Sequence, residues 1–362
     1  MAAYGTNYGE KFAKNALFAF FERSVADDIT NKDYEMILSE GGADRANILS
    51  FASLALKTYS GSALSADTPS ESEAQLVLNQ KKAYYFKIQS WSKFTSYVDD
   101  PSSDLIQNAG KGLAEVVDNY VLGLYGDVGS GNRVGTDYTT GTVTVDVTTG
   151  AVTGSGTTFT SAMVGLGFKA TGHTSWYRIK SYASATSIVI EDDTDDVASA
   201  YTGGAIGAGA AYTIEASTVL TVAYNTIYGY IVDLKQKLDE AKIPATDRNL
   251  VVPSKIANLL LKASELIPAV ATAYENTVLK GVVGYVSGFK VFSSEQTAGN
   301  NTTGFYVLAV HKSWCSLAVS FKESGIEDLT GDFGKAYKGL TVFGAKVIDE
   351  RRKAGAYMFC KV

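Results

Sequence analysis

Residues 68–94, TPSESEAQLVLNQKKAYYFKIQSWSKF, lead directly into residues 99–126, DDPSSDLIQNAGKGLAEVVDNYVLGLYG, and the change of period between them decides the fold class. In the first stretch Leu76 and Leu78 share one face, Gln75, Val77, Asn79 and Lys81 take the other, and Tyr84, Phe86 and Ile88 continue the alternation of a strand. Upstream, Ala46 to Leu64 is also strand-like and poor in charge, and the polar SADTPSESE (65–73) joins the two runs, so together they read as a long hairpin. A two-stranded hairpin of that length is marginal alone and needs another surface to lie on. In the second stretch the period becomes helical. Leu105, Ile106, Ala109, Leu113, Val116, Val117, Tyr120, Val121 and Leu124 mark one apolar stripe, Asp100 or Ser103 can cap it, and Pro101 suits a first turn. The spacing predicts a helix of about 20 residues, roughly 30 Å long, weakened or bent at Gly110 and Gly112.

Working outward, Phe12, Ala16, Ala19 and Phe20 fit a short amphipathic helix in an N-terminal arm. Between Asp127 and Glu215 the composition turns to Gly, Thr, Ser, Val and Ala, with short alternating runs at TGTVTVDV, GAVTGSGTTF, SWYRIKSY and TSIVIED. Such runs separated by Gly turns predict a small all-β sandwich or barrel, inserted into an otherwise helical stretch. From Ser217 the helical period returns through Leu220, Ala223, Ile227, Ile231, Leu234 and Leu238 until Ile243-Pro244. Arg248 to Val252 reads as a short buried strand, Pro253 opens a second helix over SKIANLLLKASEL, and four more strand-like runs lead to a final AGAYMFCKV. A helix–strand–helix segment followed by strands predicts an α+β domain with helices packed on a mostly antiparallel sheet.

The 362 residues exceed the size of a single core, which sets an expectation of two or three domains. A hydrophobic fraction of 46% with only 19% charged residues excludes a disordered chain, and 35 Gly with 22 Tyr favour β-structure and contact surface. The net charge of -6 argues against a protein that neutralises many phosphates. Cys315 and Cys360 are too few for a disulfide framework or a four-ligand zinc site and read as buried hydrophobes. No window approaches a membrane span, and MAAYGTNYGEKFAKN lacks the order of a signal peptide, so a protein made and working in the cytoplasm of its producing cell is expected.

In this order the segments resemble the Hong Kong ninety-seven capsid fold of tailed-phage major capsid proteins and encapsulins. Four passages carry the likeness: TPSESEAQLVLNQKKAYYFKIQSWSKF running into the long helix; Leu238-Asp239-Glu240 with Ile243-Pro244 and Arg248–Pro253; GVVGYVSGFKVFSSEQ; and FGAKVIDERRKAGAYMF. The resemblance spans residues 1–126 and 216–362. It implies an N-terminal arm (1–45), an extended hairpin loop and spine helix forming a peripheral domain (46–126), and an axial domain with closing peripheral strands (216–362). Residues 127–215 depart from that pattern and resemble a small β-module of phage structural proteins, which would face solvent. The implied function is a shell protein that catalyses nothing, assembling as hexamers and pentamers into an icosahedral virion head. The implied partners are scaffolding and portal proteins, a decoration protein, and packaged DNA enclosed without sequence-specific binding. With about 45 residues before the hairpin, the scaffold is expected to be a separate protein or to be cleaved off. The alternatives are an encapsulin-type compartment and a β-rich polysaccharide-binding phage protein.

No catalytic, cofactor or metal site is expected. His173 and His311 lack Cys, His or acidic neighbours at ligand spacing, and GSGNRVG (129–135) lacks the Lys-Ser/Thr of a phosphate loop, so it reads as a linker. Glu191, Asp192, Asp193, Asp195 and Asp196 could hold a hard cation but lack the EF-hand pattern and read as a solvated turn. Asp67, Glu71 and Glu73 at the hairpin tip are candidates for intersubunit contact, and Arg351, Arg352 and Lys353 for contact with DNA or an acidic neighbour from a hairpin tip. Lys57, Lys81 and Lys82 lie in the hairpin region, but no partner Asn marks a cross-link.

Overall fold

The computed structural model describes residues 24–34, 45–51, 71–89, 101–193, 200–263, 282–329 and 333–362. The expected helix at Phe12–Phe21, together with Lys57, Asp67, Asp195 and Asp196, lies outside the described residues. The chain divides into two units.

In the first unit, β1 (Arg45–Phe51) pairs antiparallel with β2 (Glu71–Val77), Arg45 opposite Val77 and Phe51 opposite Glu71. The hairpin is therefore present, but its second run is two strands rather than one. After Leu78-Asn79, β3 (Gln80–Gln89) leaves β1 and pairs antiparallel with β20 (Gly334–Val347), which also pairs with β19 (Cys315–Asp328). The reason is length: the seven residues of β1 are used up by β2, whereas β20 offers β3 a ten-residue register from Gln89↔Gly334 to Gln80↔Phe343. One core cluster of this unit is formed by Ala46, Ile48, Leu76, Leu78, Ala318, Val342 and Ile348, and Leu317, Val319, Phe343 and Val347 are buried as well. Gly344 lets the Val77 carbonyl pass where a Cβ would otherwise stand.

A single helical turn, α1 (Ala26–Ile29), and the helix α2 (Pro101–Leu122) precede the second unit's sheets. At 22 residues α2 matches its sequence signal, and Gly110 and Gly112 lie inside it without ending it. Its buried stripe is narrower than the apolar pattern, however. Ile106, Ala114, Val117, Val121 and Leu122 are buried while Leu105 and Val116 are exposed. One buried position is a carboxylate. Asp118 accepts hydrogen bonds from the Ser24 hydroxyl (2.8 Å) and from the N–H groups of Val25 (3.0 Å) and Ala26 (2.9 Å), capping α1 from outside the turn. Burial pushes its carboxyl above the usual range, against the pull of those donors.

The six-stranded sheet of this unit has the order β13-β21-β18-β14-β16-β15, from Leu220–Thr221, Gly355–Lys361, Gly304–His311, Arg248–Val252, Phe289–Ser293 and Val282–Val286. β14 is parallel to β16 and antiparallel to β18, and all five of its residues are buried. The short β17 (Gly299–Asn300) adds to β18 and β4 (Arg133–Val134) to β21. Helices α3 (Ile227–Glu240) and α4 (Ser254–Lys262) pack on the sheet, α3 through the expected Ile227, Ile231, Leu234 and Leu238. α3 starts ten residues later than the sequence period suggests. The β-branched run Ser217–Val222 is extended instead, because β13 is held by β21 through Leu220↔Cys360 and Thr221↔Lys361.

Residues 136–218 form an eight-stranded antiparallel sheet, in the order β11-β6-β7-β10-β9-β8-β12-β5. These strands are Ile206–Ala210, Thr142–Val145, Ala151–Ser155, Ser187–Asp192, Tyr177–Ser184, Gly167–Ala170, Tyr212–Thr218 and Thr136–Tyr138. Ile206 from one end of the order and Tyr138 from the other join one core with Val152, Phe168, Ile179, Ile188 and Ile214, so the sheet curls around a single interior as the Gly-punctuated pattern anticipates. Its limits fall slightly inside and beyond 127–215: β4 belongs to the six-stranded sheet and β12 runs to Thr218.

Asp118→Ala should lower stability by about 2–4 kcal/mol, since it leaves several buried donors without an acceptor. Urea unfolding followed by circular dichroism checks this.

Candidate functional site

Four charged side chains with little exposure, Arg133, Asp193, Glu215 and Arg352, meet at the foot of the eight-stranded sheet. The linker Gly129–Gly135 turns sharply at Gly131, whose φ is +95° and where a Cβ would stand 2.6 Å from Trp176 Cδ1. The turn aims two N–H groups at carboxylates of the same chain: Ser130 donates to Asp193 (2.5 Å), and Gly131 to both Glu215 oxygens (2.9 and 2.8 Å). A phosphate would need those donors, so the linker reading of this glycine-rich segment stands on geometry.

Two arginines complete the cluster. Arg133, 3% exposed, donates to the carbonyls of Gly165 (2.7 Å) and Val128 (3.1 Å), with Nε 3.5 Å from Glu215. Arg352, 4% exposed, pairs with Asp193 at 3.0 Å and donates to the Asp127 carbonyl (3.1 Å). Asn132 adds amide hydrogen bonds to the carbonyls of Lys353 (2.9 Å) and Gly355 (3.1 Å). Burial pushes the Glu215 carboxyl up to about 7, despite Arg133 and the Gly131 N–H.

The Arg352 guanidinium, a candidate for contact with DNA or an acidic neighbour, is buried in an internal ion pair with Asp193. Arg351–Lys353 also sit on a 3-10 turn (Asp349–Ala354) between β20 and β21, which belong to different sheets, rather than on a hairpin tip. Lys353 is exposed and Arg351 half-buried. Glu71 and Glu73 lie on β2, in register with Phe51 and Leu49. The acidic run is dispersed: Glu191 pairs with Arg178 (2.9 Å) and Lys180 (3.0 Å), Asp192 accepts from Thr202, and Asp193 turns inward. Among the described residues no cluster of metal-ligating side chains occurs.

His173 is buried, its Nδ1 accepting the Ala170 N–H and its Nε2 2.7 Å from the Tyr201 hydroxyl, while His311 bonds Ser313. Burial holds both imidazoles below the usual range. Cys315 and Cys360 are buried and form no disulfide, and burial pushes the Cys360 thiol up to about 12. Arg248, one of the residues carrying the resemblance, acts locally. It pairs with Asp239 (2.7 Å) and donates to the carbonyls of Pro244 and Ile243, closing the end of α3. A cleft of about 350 Å³ is lined by Arg248 itself together with Asp28, Asp247, Lys290 and Lys312, charges of both signs.

No protein-family model matches the sequence, and no curated protein resembles it. The likeness is in the fold. A chain of Mycobacterium phage Che8 aligns at TM-score 0.54 over 93% of this chain and 91% of its own, with 16% identity. A chain of the capsid of Ralstonia phage GP4 aligns at 0.51 over 94% and 92%, with 11% identity, and one of the capsid of the cyanophage P-SCSP1u at 0.50 over 94% and 86%, with 12%. The fold is that of a phage capsid subunit. Within this α+β capsid fold the eight-stranded sheet occupies the chain between α2 and α3, and the buried charges lie where it joins the rest of the second unit.

Arg352→Ala should cost about 3 kcal/mol by leaving Asp193 without its counter-charge, and Arg352→Met in an Asp193→Asn background should recover much of that loss. Denaturant midpoints of the single and double variants test the pair.

Proposed function

We propose that this chain is the major capsid protein of a tailed double-stranded DNA bacteriophage, a structural subunit that self-assembles into an icosahedral head around the genome. The observation that carries the reading is the likeness to a chain of the GP4 capsid, which takes in 94% of this chain and 92% of that one. The first unit adds a physical argument: the ribbon of β19, β20 and β3 leaves Tyr85 67% exposed, and Phe333, just before β20, is 87% exposed, apolar surface that is poorly covered in the subunit alone. Repeated identical contacts that close under symmetry would cover it. The finer reading has hexamers and pentamers, separate scaffolding and portal proteins, a decoration protein, a location in the virion after assembly in the host cytoplasm, and DNA enclosed without base-specific contacts. It assigns no enzymatic step to the chain.

Light scattering after size exclusion, with negative-stain microscopy, should find closed particles of many subunits. A monomer at every concentration, with and without a co-expressed scaffold, overturns the proposal.

In this reading the hairpin tip, with Asp67, Glu71 and Glu73, meets a neighbouring subunit through charge as well as shape. Reversing Glu71 and Glu73 to Lys should reduce particle yield severalfold while circular dichroism of the subunit is unchanged.

Residues 136–218 are proposed to face outward and to be dispensable for the shell. Replacing them by a short Gly/Ser linker, with β4 and β13 kept, should leave particles of smoother outline, whereas insoluble or purely monomeric protein would make the module part of the shell contacts.

A further inference from the structure

The junction between the eight-stranded module and the six-stranded sheet is held by an unusual combination of tethers and charges. Both chain crossings, β4 and β13, lie on β21 at the edge opposite β18, paired in parallel through Tyr357↔Arg133, Met358↔Val134, Cys360↔Leu220 and Lys361↔Thr221. Between the crossings lie four ionisable side chains with little access to water. Two come from the module side, Glu215 on β12 and Asp193 after β10, and two from the sheet side, Arg133 on β4 and Arg352 before β21.

We propose that this cluster is a pH-sensitive latch, which holds the module tightly against the sheet while Glu215 is neutral and loosens as that carboxyl ionises. The geometry around Glu215 supports it. Its Oε1 occupies the space where a Cβ on Gly167 would be, so β8 closes one side, and the Gly131 N–H closes another. The charged and titratable groups facing it are Arg133 from β4, Lys237 from α3, Asp193 from the turn after β10, and Tyr357 from β21. Arg133 approaches only through Nε, at 3.5 Å and without a hydrogen bond, because its two terminal nitrogens are spent on the Gly165 and Val128 carbonyls. The ionised carboxylate is thus taken out of water without a close charged donor in return, and opening the junction would hydrate it.

The sign follows from linkage. A carboxyl that titrates at about 7 in the closed junction and at its ordinary 4.5 when opened binds more protons in the closed form. Closure is favoured most in mild acid, weakens as pH rises from 4.5 to about 7, and levels off above that. Between pH 5 and pH 7 the opening equilibrium should rise about 40-fold.

Hydrogen exchange of the full chain tests this, using protection factors corrected for intrinsic pH dependence at Ser130, Gly131 and the amides of β4 and β13, with β14 amides as internal reference. The expected result is an about 40-fold loss of junction protection from pH 5 to pH 7, no such loss in Glu215→Gln, and an intact loss in Asp193→Asn. Unchanged wild-type protection over that interval overturns the latch by itself, whether or not the variants fold. A slope that persists in Glu215→Gln, or vanishes in Asp193→Asn, overturns the assignment to Glu215. The latch does not depend on the capsid reading, since failure of assembly would leave the exchange profile untouched.

Discussion

Strand β21 is buried along nearly its whole length, and a buried strand has to hydrogen-bond along both of its edges. One edge is satisfied by β18 over six residue pairs. The other meets no long strand among the described residues, and is completed by the two short segments through which the chain leaves for the eight-stranded module and returns from it. The chain segments at both ends of the eight-stranded sheet are therefore positioned by a requirement of the six-stranded sheet, since β4 and β13 pair with β21 instead of running as free linkers.

That placement has an electrostatic consequence. Bringing β4 and the turn before β21 into a dry junction brings Arg133 and Arg352 with them, and buried guanidinium groups demand acceptors. Val128, Gly165 and Asp127 supply carbonyl acceptors, Asp193 supplies a counter-charge to Arg352, and Glu215 lies 3.5 Å from Arg133 Nε without a hydrogen bond. Asp118 shows the same logic elsewhere in the unit, where one buried carboxylate serves the open N–H donors of a single helical turn. In each case a backbone shortage decides where a charge is placed, and the charge then makes the local structure sensitive to its protonation.

The first unit is organised differently. Its strands are long, and aromatic side chains such as Phe86 and Tyr337, stacked at 5.2 Å, are only half-buried on the ribbon. Such an element gains stability from a surface outside itself.

The amino-acid sequence by itself determined whatever depends on local period and turn chemistry. The two-residue alternation of β2 and β3, the helical stripe of α2, the Ile227–Leu238 face of α3, the all-buried β14 and the Gly-punctuated module are each specified by neighbours within a few positions. Tertiary structure decided which partner each element took. β3 left the hairpin because β20 offered a longer register, Ser217–Val222 stayed extended against its apparent helical spacing because β21 needed a partner, and Arg352 turned inward because Asp193, 159 positions earlier in the chain, lies at the same junction. Hydrogen-bond partnership and ion pairing across such separations leave no periodic trace in the chain, since the free energy that selects them comes from removing specific groups from water together.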